Sequence, residues 1–199
     1  MSPVWIPPDP WSYALLLGLY LGDGCISSPG RTYQLRIVLD EKYPGIIEDC
    51  VAAMYLTLLP ARVHLRRRQG CRVVEGASQR WLDAIPQHGP GRKHERRICL
   101  ESWQQRIVDR HTEPFIHGLL MSDGCRTQNR FTTTLPSGRV ATYQYPRYFF
   151  SNLSPDIRAM FCAACDRLGV RWTQSNERNI SVARRDSVAI LDAFVGPKS

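Results

Sequence analysis

Two aspartates end two near-copies of one segment. Residues 16–24 read LLGLYLGDG and residues 116–124 read IHGLLMSDG, so Gly18, Leu19, Asp23, Gly24 and Cys25 recur 100 positions later as Gly118, Leu119, Asp123, Gly124 and Cys125. A carboxylate at the C-terminal end of a helix is unfavourable, because that end already carries partial negative charge. One Asp-Gly would read as a plain helix-ending turn. Two matched copies, on helices that pack together, read as chemistry. Side by side, Asp23 and Asp123 would repel each other, and a divalent cation would relieve that repulsion. Mg²⁺ (or Mn²⁺) suits carboxylate and phosphate oxygens, and metal shared by two aspartates is an arrangement for phosphodiester hydrolysis.

The lysines add to the pair. Among 26 basic residues only Lys42, Lys93 and Lys198 are lysine. Lys93 follows the stretch LDAI at Leu82–Ile85 and a Gly-Pro-Gly-Arg turn; Lys198 follows LDAF at Leu191–Phe194 and Val-Gly-Pro. They stand 70 and 75 residues after their aspartates, so two of three lysines hold equivalent places. A compact ammonium can lose its proton or meet extra phosphate charge in ways that the Arg fork does not copy. The plainer alternative is a pair of exposed, solvated lysines. The candidate catalytic centre is Asp23, Asp123, Lys93 and Lys198.

Both motif segments are apolar nearly all round, as a helix buried on several sides must be. Each follows a helix-start signal, Asp9-Pro10 in one copy and Thr112 to Pro114 in the other. Glycine inside a helix costs roughly 1 kcal/mol against alanine. Its recurrence at Gly18 and Gly118 therefore predicts close backbone approach at a lobe interface, continued where Gly22 meets Ser122. After the first motif come a Gly/Ser/Pro turn, an alternating strand over Tyr33–Leu39 and a helix over Ile46–Leu58 opened by Pro44. After the second come a strand over Arg147–Ser151 and a helix from Ser154-Pro155 to about Leu168. Two further strands are expected in each half, near 62–76 and 170–184. The fold class is mixed α/β (α+β): two pseudo-symmetric helix–strand–strand–helix–strand–strand lobes packed through the paired motif helices, with antiparallel sheets. The expected division is a proline-rich tail over 1–10, a first lobe over 11–85, a basic linker with a short helix over 86–111, and a second lobe over 112–199.

A formal net charge of +8 points to an anionic partner, nucleic acid first. Strand alternation puts side chains two apart on one face. Arg62, His64, Arg66 and Arg68 would share a face, as would Gln34 with Arg36, Arg171 with Thr173, and Arg126 with Gln128 and Arg130. Arg31, Arg147 and Arg184 join them as DNA-binding candidates. Such faces suit a sheet in the major groove, where Arg reads guanine and Gln reads adenine. The plainer alternative is a solvated polar face. Seven cysteines lack disulfide or zinc spacing, and Cys162 with Cys165 falls in an apolar helical pattern, which predicts a reduced, cytoplasmic protein. The run Ala14–Leu21 is too short to span a membrane. The five histidines show no metalloprotease or triad spacing, and no Gly-rich phosphate loop is present.

At its doubled Asp-Gly motifs the sequence resembles the single-chain, two-motif LAGLIDADG homing endonucleases. The resemblance implies that the last Asp of each motif binds metal, with Gly22 and Ser122 completing the metal site beside Asp23 and Asp123. It implies a lysine after the last strands of each lobe, and a polar residue ending the second strand that organises water around the metal. Asn152 fits that last place, with Glu41 as its loosely aligned counterpart. Leu21 and Met121 replace an earlier Asp of the family motif that is not usually catalytic. The implied activity is divalent-metal-dependent cleavage of both strands of a long, non-palindromic double-stranded DNA site by a monomer, across the minor groove and with a short stagger. Two alternatives stay open: a non-cleaving DNA-binding regulator of the same fold, and a splicing cofactor that binds group I intron RNA.

Overall fold

Asp9 starts the first lobe. Its carboxylate accepts from the backbone N–H groups of Trp11 (3.0 Å) and Ser12 (3.3 Å), satisfying donors that a helix start leaves free, while Pro10 fits the first turn. In the computed structural model, which describes residues 5–28, 30–59 and 62–198, this opens helix α1, Pro10–Asp23. Strands β1 (Gly24–Ser27) and β2 (Gln34–Asp40), helix α2 (Pro44–Thr57), strands β3 (Val63–Arg68) and β4 (Cys71–Ala77) and the single turn α3 (Trp81–Ala84) follow. A linker with a 3-10 turn at Lys93–Glu95 leads to α4 (Ser102–Arg110). The second lobe repeats the order with α5 (Thr112–Asp123), β5 (Gly124–Thr134), β6 (Val140–Ser151), α6 (Pro155–Arg167), β7 (Thr173–Gln174), β8 (Asn179–Val182) and α7 (Arg185–Asp192).

Each lobe holds a four-stranded antiparallel sheet, ordered β1-β2-β4-β3 in the first and β5-β6-β8-β7 in the second. The mixed α/β architecture of two matched lobes is the one that the repeat predicts. Gly24 pairs with Ile37 and Gly124 with Phe150, so the two sheets begin in the same register relative to their helices. On β2 the alternation is clean: Leu35, Ile37 and Leu39 are buried against the helices, and Gln34, Arg36 and Val38 point the other way. The face away from the helices is the open face of the sheet.

The helices α1 and α5 form the centre. Every residue of α1 from Ser12 to Leu21 is buried, and so are most of α5's. A Cβ placed on Gly18 would stand 2.5 Å from the Phe115 carbonyl oxygen and 2.8 Å from the Leu119 nitrogen; one on Gly118 would stand 2.8 Å from the Leu19 nitrogen. Only glycine admits that approach, which is why the helix-propensity loss is repeated at matching positions. One contiguous apolar cluster joins both lobes through this contact.

Three expectations change. The proline-rich tail is anchored at Trp5, which is 9 % exposed and packs its ring on Tyr13 and Trp103, both at 5.4 Å, and Pro10 already belongs to α1; residues 1–4 lie outside the described ones. The strands expected over 170–184 shrink to β7 and β8, because Arg171 precedes the first and Arg184 already caps α7. The strand expected at Arg147–Ser151 is instead the end of a long ribbon, β5 with β6, in which β6 spans 12 residues.

Candidate functional site

The C-termini of α1 and α5 emerge together, and each carries its aspartate into the Gly that opens an edge strand. The two ends lie close: a Cβ on Gly22 would collide with the Ser122 side chain and stand 3.2 Å from the Asp123 carboxyl carbon. Each end is capped by a lysine, the first by Lys93 of the linker that follows its lobe and the second by Lys198 at the end of its own lobe. Lys93 Nζ donates to the carbonyl oxygens of Tyr20, Leu21 (2.9 Å) and Gly22 (2.8 Å). Lys198 Nζ donates to those of Met121 (2.7 Å) and Ser122 (3.2 Å). A cation on the exposed carbonyls of a last turn is favourable, and it brings both ammonium groups within electrostatic range of both carboxylates. The ammoniums also approach aromatic rings, Lys93 over Tyr20 at 4.9 Å and Lys198 over Tyr43 at 6.0 Å.

The electrostatics reflect crowding. Asp23 has much open surface, yet the protein packed around its carboxylate removes solvation. That loss, followed by repulsion from Asp123, pushes its pKa up to about 6 against the pull of Lys198 and Lys93. Asp123 is raised by burial too, and held back by the hydrogen bond that Asn152 Nδ2 donates to it and by the two lysines. Burial lowers Lys93 to about 8, with Asp123 and Asp23 opposing, and lowers Lys198 in the same direction. Asn152 is itself fixed, since its Oδ1 accepts from the Ser154 N–H at 2.7 Å. Glu41 does not mirror it: its carboxylate lies beside Arg67 (3.8 Å) and Arg72 (4.0 Å) instead.

Among the described residues, no cluster of three or more His, Cys, Asp or Glu side chains could hold a metal. The donor set at the helix ends is two carboxylates and the carbonyl oxygens of Gly22 and Ser122, which here accept from the lysines. These are hard oxygen donors, and they fit Mg²⁺ or Mn²⁺, which take one or two carboxylates and complete their shell with water and substrate phosphate.

What holds the lysines was not readable from spacing. The linker bearing Lys93 is tied to the core by a reciprocal amide pair, Gln87 with Gln104 (2.6 and 3.0 Å). Gln104 also donates to the Tyr13 hydroxyl at 2.6 Å, and that hydroxyl donates to the Ala84 carbonyl at 2.7 Å. The segment bearing Lys198 is held through Asp192, which accepts from the Tyr148 hydroxyl (2.6 Å) and both guanidinium arms of Arg126 (2.8 and 2.9 Å).

On the open face of the first sheet stand Gln34, Arg36, His64, Arg66 and Arg68, following the strand registers; Arg62 precedes β3, and Arg31 lies in the exposed turn before β2. Sequence reasoning missed their acidic partner: Glu75, 6 % exposed, accepts from Arg66 at 2.9 Å and sits 4.0 Å from Arg36. On the second sheet Arg147 and Thr173 share the open face, and Arg147 lies over the Phe149 ring at 4.3 Å. Arg126, Gln128 and Arg130 do not belong there. They oppose Tyr148, Pro146 and Gln144, whose face turns toward the helices, so alternation had the right period and the wrong phase. Arg171 and Arg184 fall outside the strands, and Arg171 binds Asp186.

No family model matches the chain, and no curated protein matches it in sequence. Solved structures do match. Mesophilic variants of the homing endonuclease I-DmoI superpose with a TM-score of 0.55 at 14 % identity, covering 94 % of this chain and 96 % of that one. The homing endonuclease I-WcaI bound to its DNA recognition sequence gives 0.55 at 12 %, over 96 % and 83 %. The LAGLIDADG meganuclease I-AabMI bound to uncleaved DNA gives 0.53 at 11 %, over 94 % and 82 %. I-DmoI has been solved with DNA and Mn, and with DNA and Ca. With paired helices between two four-stranded sheets matched along nearly its whole length, this chain has the fold of the LAGLIDADG homing endonucleases.

Proposed function

We propose that this protein is a sequence-specific, divalent-metal-dependent endonuclease that cuts both strands of a long, asymmetric double-stranded DNA site as a single chain. The observation that carries the reading is the doubled Asp–Lys constellation at two abutting helix ends, flanked on each side by a sheet. Two lobes that differ in sequence would read two different half-sites. Structural neighbours bound to DNA, with Mn or Mg among their ions, support the same class of partner and cofactor.

Asp23 and Asp123 would hold Mg²⁺ or Mn²⁺, which supplies Lewis-acid activation of phosphate and water when bound. The other groups are the chain's own. Lys93 and Lys198, partly stripped of solvent, stand within electrostatic range of the carboxylates and can balance the extra negative charge that develops on a phosphate under attack. Asn152 orients the Asp123 carboxylate. Arg36, Arg66 and Arg147 supply charge to the open faces, where phosphate contacts set affinity and base contacts set sequence.

The test is Mg²⁺-dependent cleavage of a randomised duplex library, with Asp23→Asn and Asp123→Asn alongside. Metal-dependent double-strand cuts at one enriched sequence are expected, with each variant slowed about a hundred- to a thousandfold, the scale of losing a central electrostatic group. Tight duplex binding without cutting by the unaltered protein would replace the enzyme with a DNA-binding regulator. Cutting that persists in both variants would remove the site assignment.

A further inference from the structure

The ribbon of β5 and β6 outgrows its sheet. Strand β6 pairs with β8 only from Tyr148 to Ser151, so, among the described residues, 140–147 pair with no strand but β5. Beyond the core, this two-stranded segment carries an aromatic cluster on one side. Phe131 stacks on the directly opposite Tyr143, with ring centroids 5.2 Å apart and planes 22° apart, and meets Tyr145 edge-on at 6.1 Å. Phe131 is 45 % exposed and Tyr143 44 %.

Register assigns the cluster to the open face. Phe131 and Tyr143 oppose each other at an even spacing from the pair Thr127–Arg147, on the face that also bears Phe149 and Ser181. Directly behind the stacked pair the reverse side is polar, with Thr132 and Thr142 hydrogen-bonded at 3.1 Å and flanked by Arg130 and Gln144, although Val140 and Pro146 lie farther along that side. A cross-strand aromatic pair does stabilise a lone ribbon. That need would be met equally on either side, and by two rings instead of three. The charge of the ribbon narrows the partner. From Gly124 to Ser151 the chain has four arginines and no acidic residue, which suits a polyanion and not a neutral protein surface.

A two-stranded ribbon fits the major groove, and there only one base edge is apolar, the C5 methyl group of thymine. We propose that Phe131, Tyr143 and Tyr145 form a thymine-reading patch that sets sequence preference at the outer end of the second lobe's half-site. The proposal rests on the DNA-binding reading above. It assigns specificity to apolar contact at positions where arginine and glutamine would read other bases.

The experiment removes the methyl groups from the DNA and leaves the folded protein as it is. Duplexes bound by the full-length protein in Ca²⁺ are selected from a randomised library, and the outer thymines of the enriched site are replaced singly by deoxyuridine. Each productive thymine is expected to lose about fourfold in affinity, the worth of one buried methyl group. The exposed double variant Phe131→Ser/Tyr143→Ser, with its fold checked by circular dichroism, should bind thymine and deoxyuridine duplexes alike at those positions, and keep its preference in the other half-site. Enrichment of a site whose outer thymines tolerate deoxyuridine without loss would overturn the patch and leave the nuclease reading standing. Failure to enrich any duplex would overturn both.

Discussion

At Asp23 the fold opposes the charge that the proposed chemistry needs. The carboxyl group titrates at about 6 in the folded chain against 3.8 in its ordinary state, because packing removes water and Asp123 stands opposite. Below about pH 4 both folded and unfolded chains are protonated there, and the group is neutral to stability. Between about 4 and 6 the unfolded chain gives up the proton first, so stability falls as pH rises, and the whole penalty is present above 6. The full shift would convert to roughly 3 kcal/mol, but the open surface of Asp23 lets water screen it, so about 1 kcal/mol is the expected effect. Asp23→Asn should therefore stabilise the metal-free protein by about 1 kcal/mol at pH 7.5 and flatten that fall, while removing the proposed cleavage. Urea midpoints at pH 4.5 and 7.5 read it, and a variant no more stable than the parent at pH 7.5 would contradict the crowding. A residue that weakens the fold where it stands is one whose retention in duplicate calls for a functional reason.

Between the elements, the decisive contact is glycine on glycine. In an isolated helix Gly18→Ala would help by up to 1 kcal/mol. Here the new methyl group meets the Phe115 carbonyl and the Leu119 nitrogen, both backbone atoms that cannot swing aside. A net destabilisation of about 2–3 kcal/mol is expected from overpacking, measured as a lower denaturant midpoint at unchanged slope; a neutral result would mean that α1 and α5 do not meet this closely. This contact was legible in the sequence because a repeat exposes any residue chosen against local propensity. The Asp and Lys positions were legible for the same reason. The phase of β5 was not. Arg126 matches Ile26 of the first lobe and takes the inward side of its strand, but as an arginine it looked like a DNA contact; only the bond to Asp192, 66 residues away, shows that it fastens the segment bearing Lys198. Glu75 escaped notice likewise, because a single carboxylate on β4 gains its meaning from Arg66 and Arg36 on neighbouring strands. Non-local partners of this kind carry no periodic signal.

At the scale of the whole molecule, the two lobes repeat each other in sequence but do not divide the core. Leu15, Leu19 and Tyr20 of α1 belong to the same apolar cluster as Phe115, Leu119 and Phe150 of the second lobe, and α4 closes over the joint where Tyr13 reaches Gln104. Separating the lobes would bare an all-round apolar helix on each side, and an exposed face of that kind is not stable in water. Unfolding should therefore be one transition, with calorimetric and van't Hoff enthalpies equal, although the 100-residue repeat would suggest two independent domains. Gly18→Ala should move that single transition down without splitting it. Two resolved transitions in the parent would mean that each lobe carries its own core. The catalytic reading would then weaken as well, since a centre built from one Asp and one Lys at each helix end needs a joint that does not open while either lobe is folded.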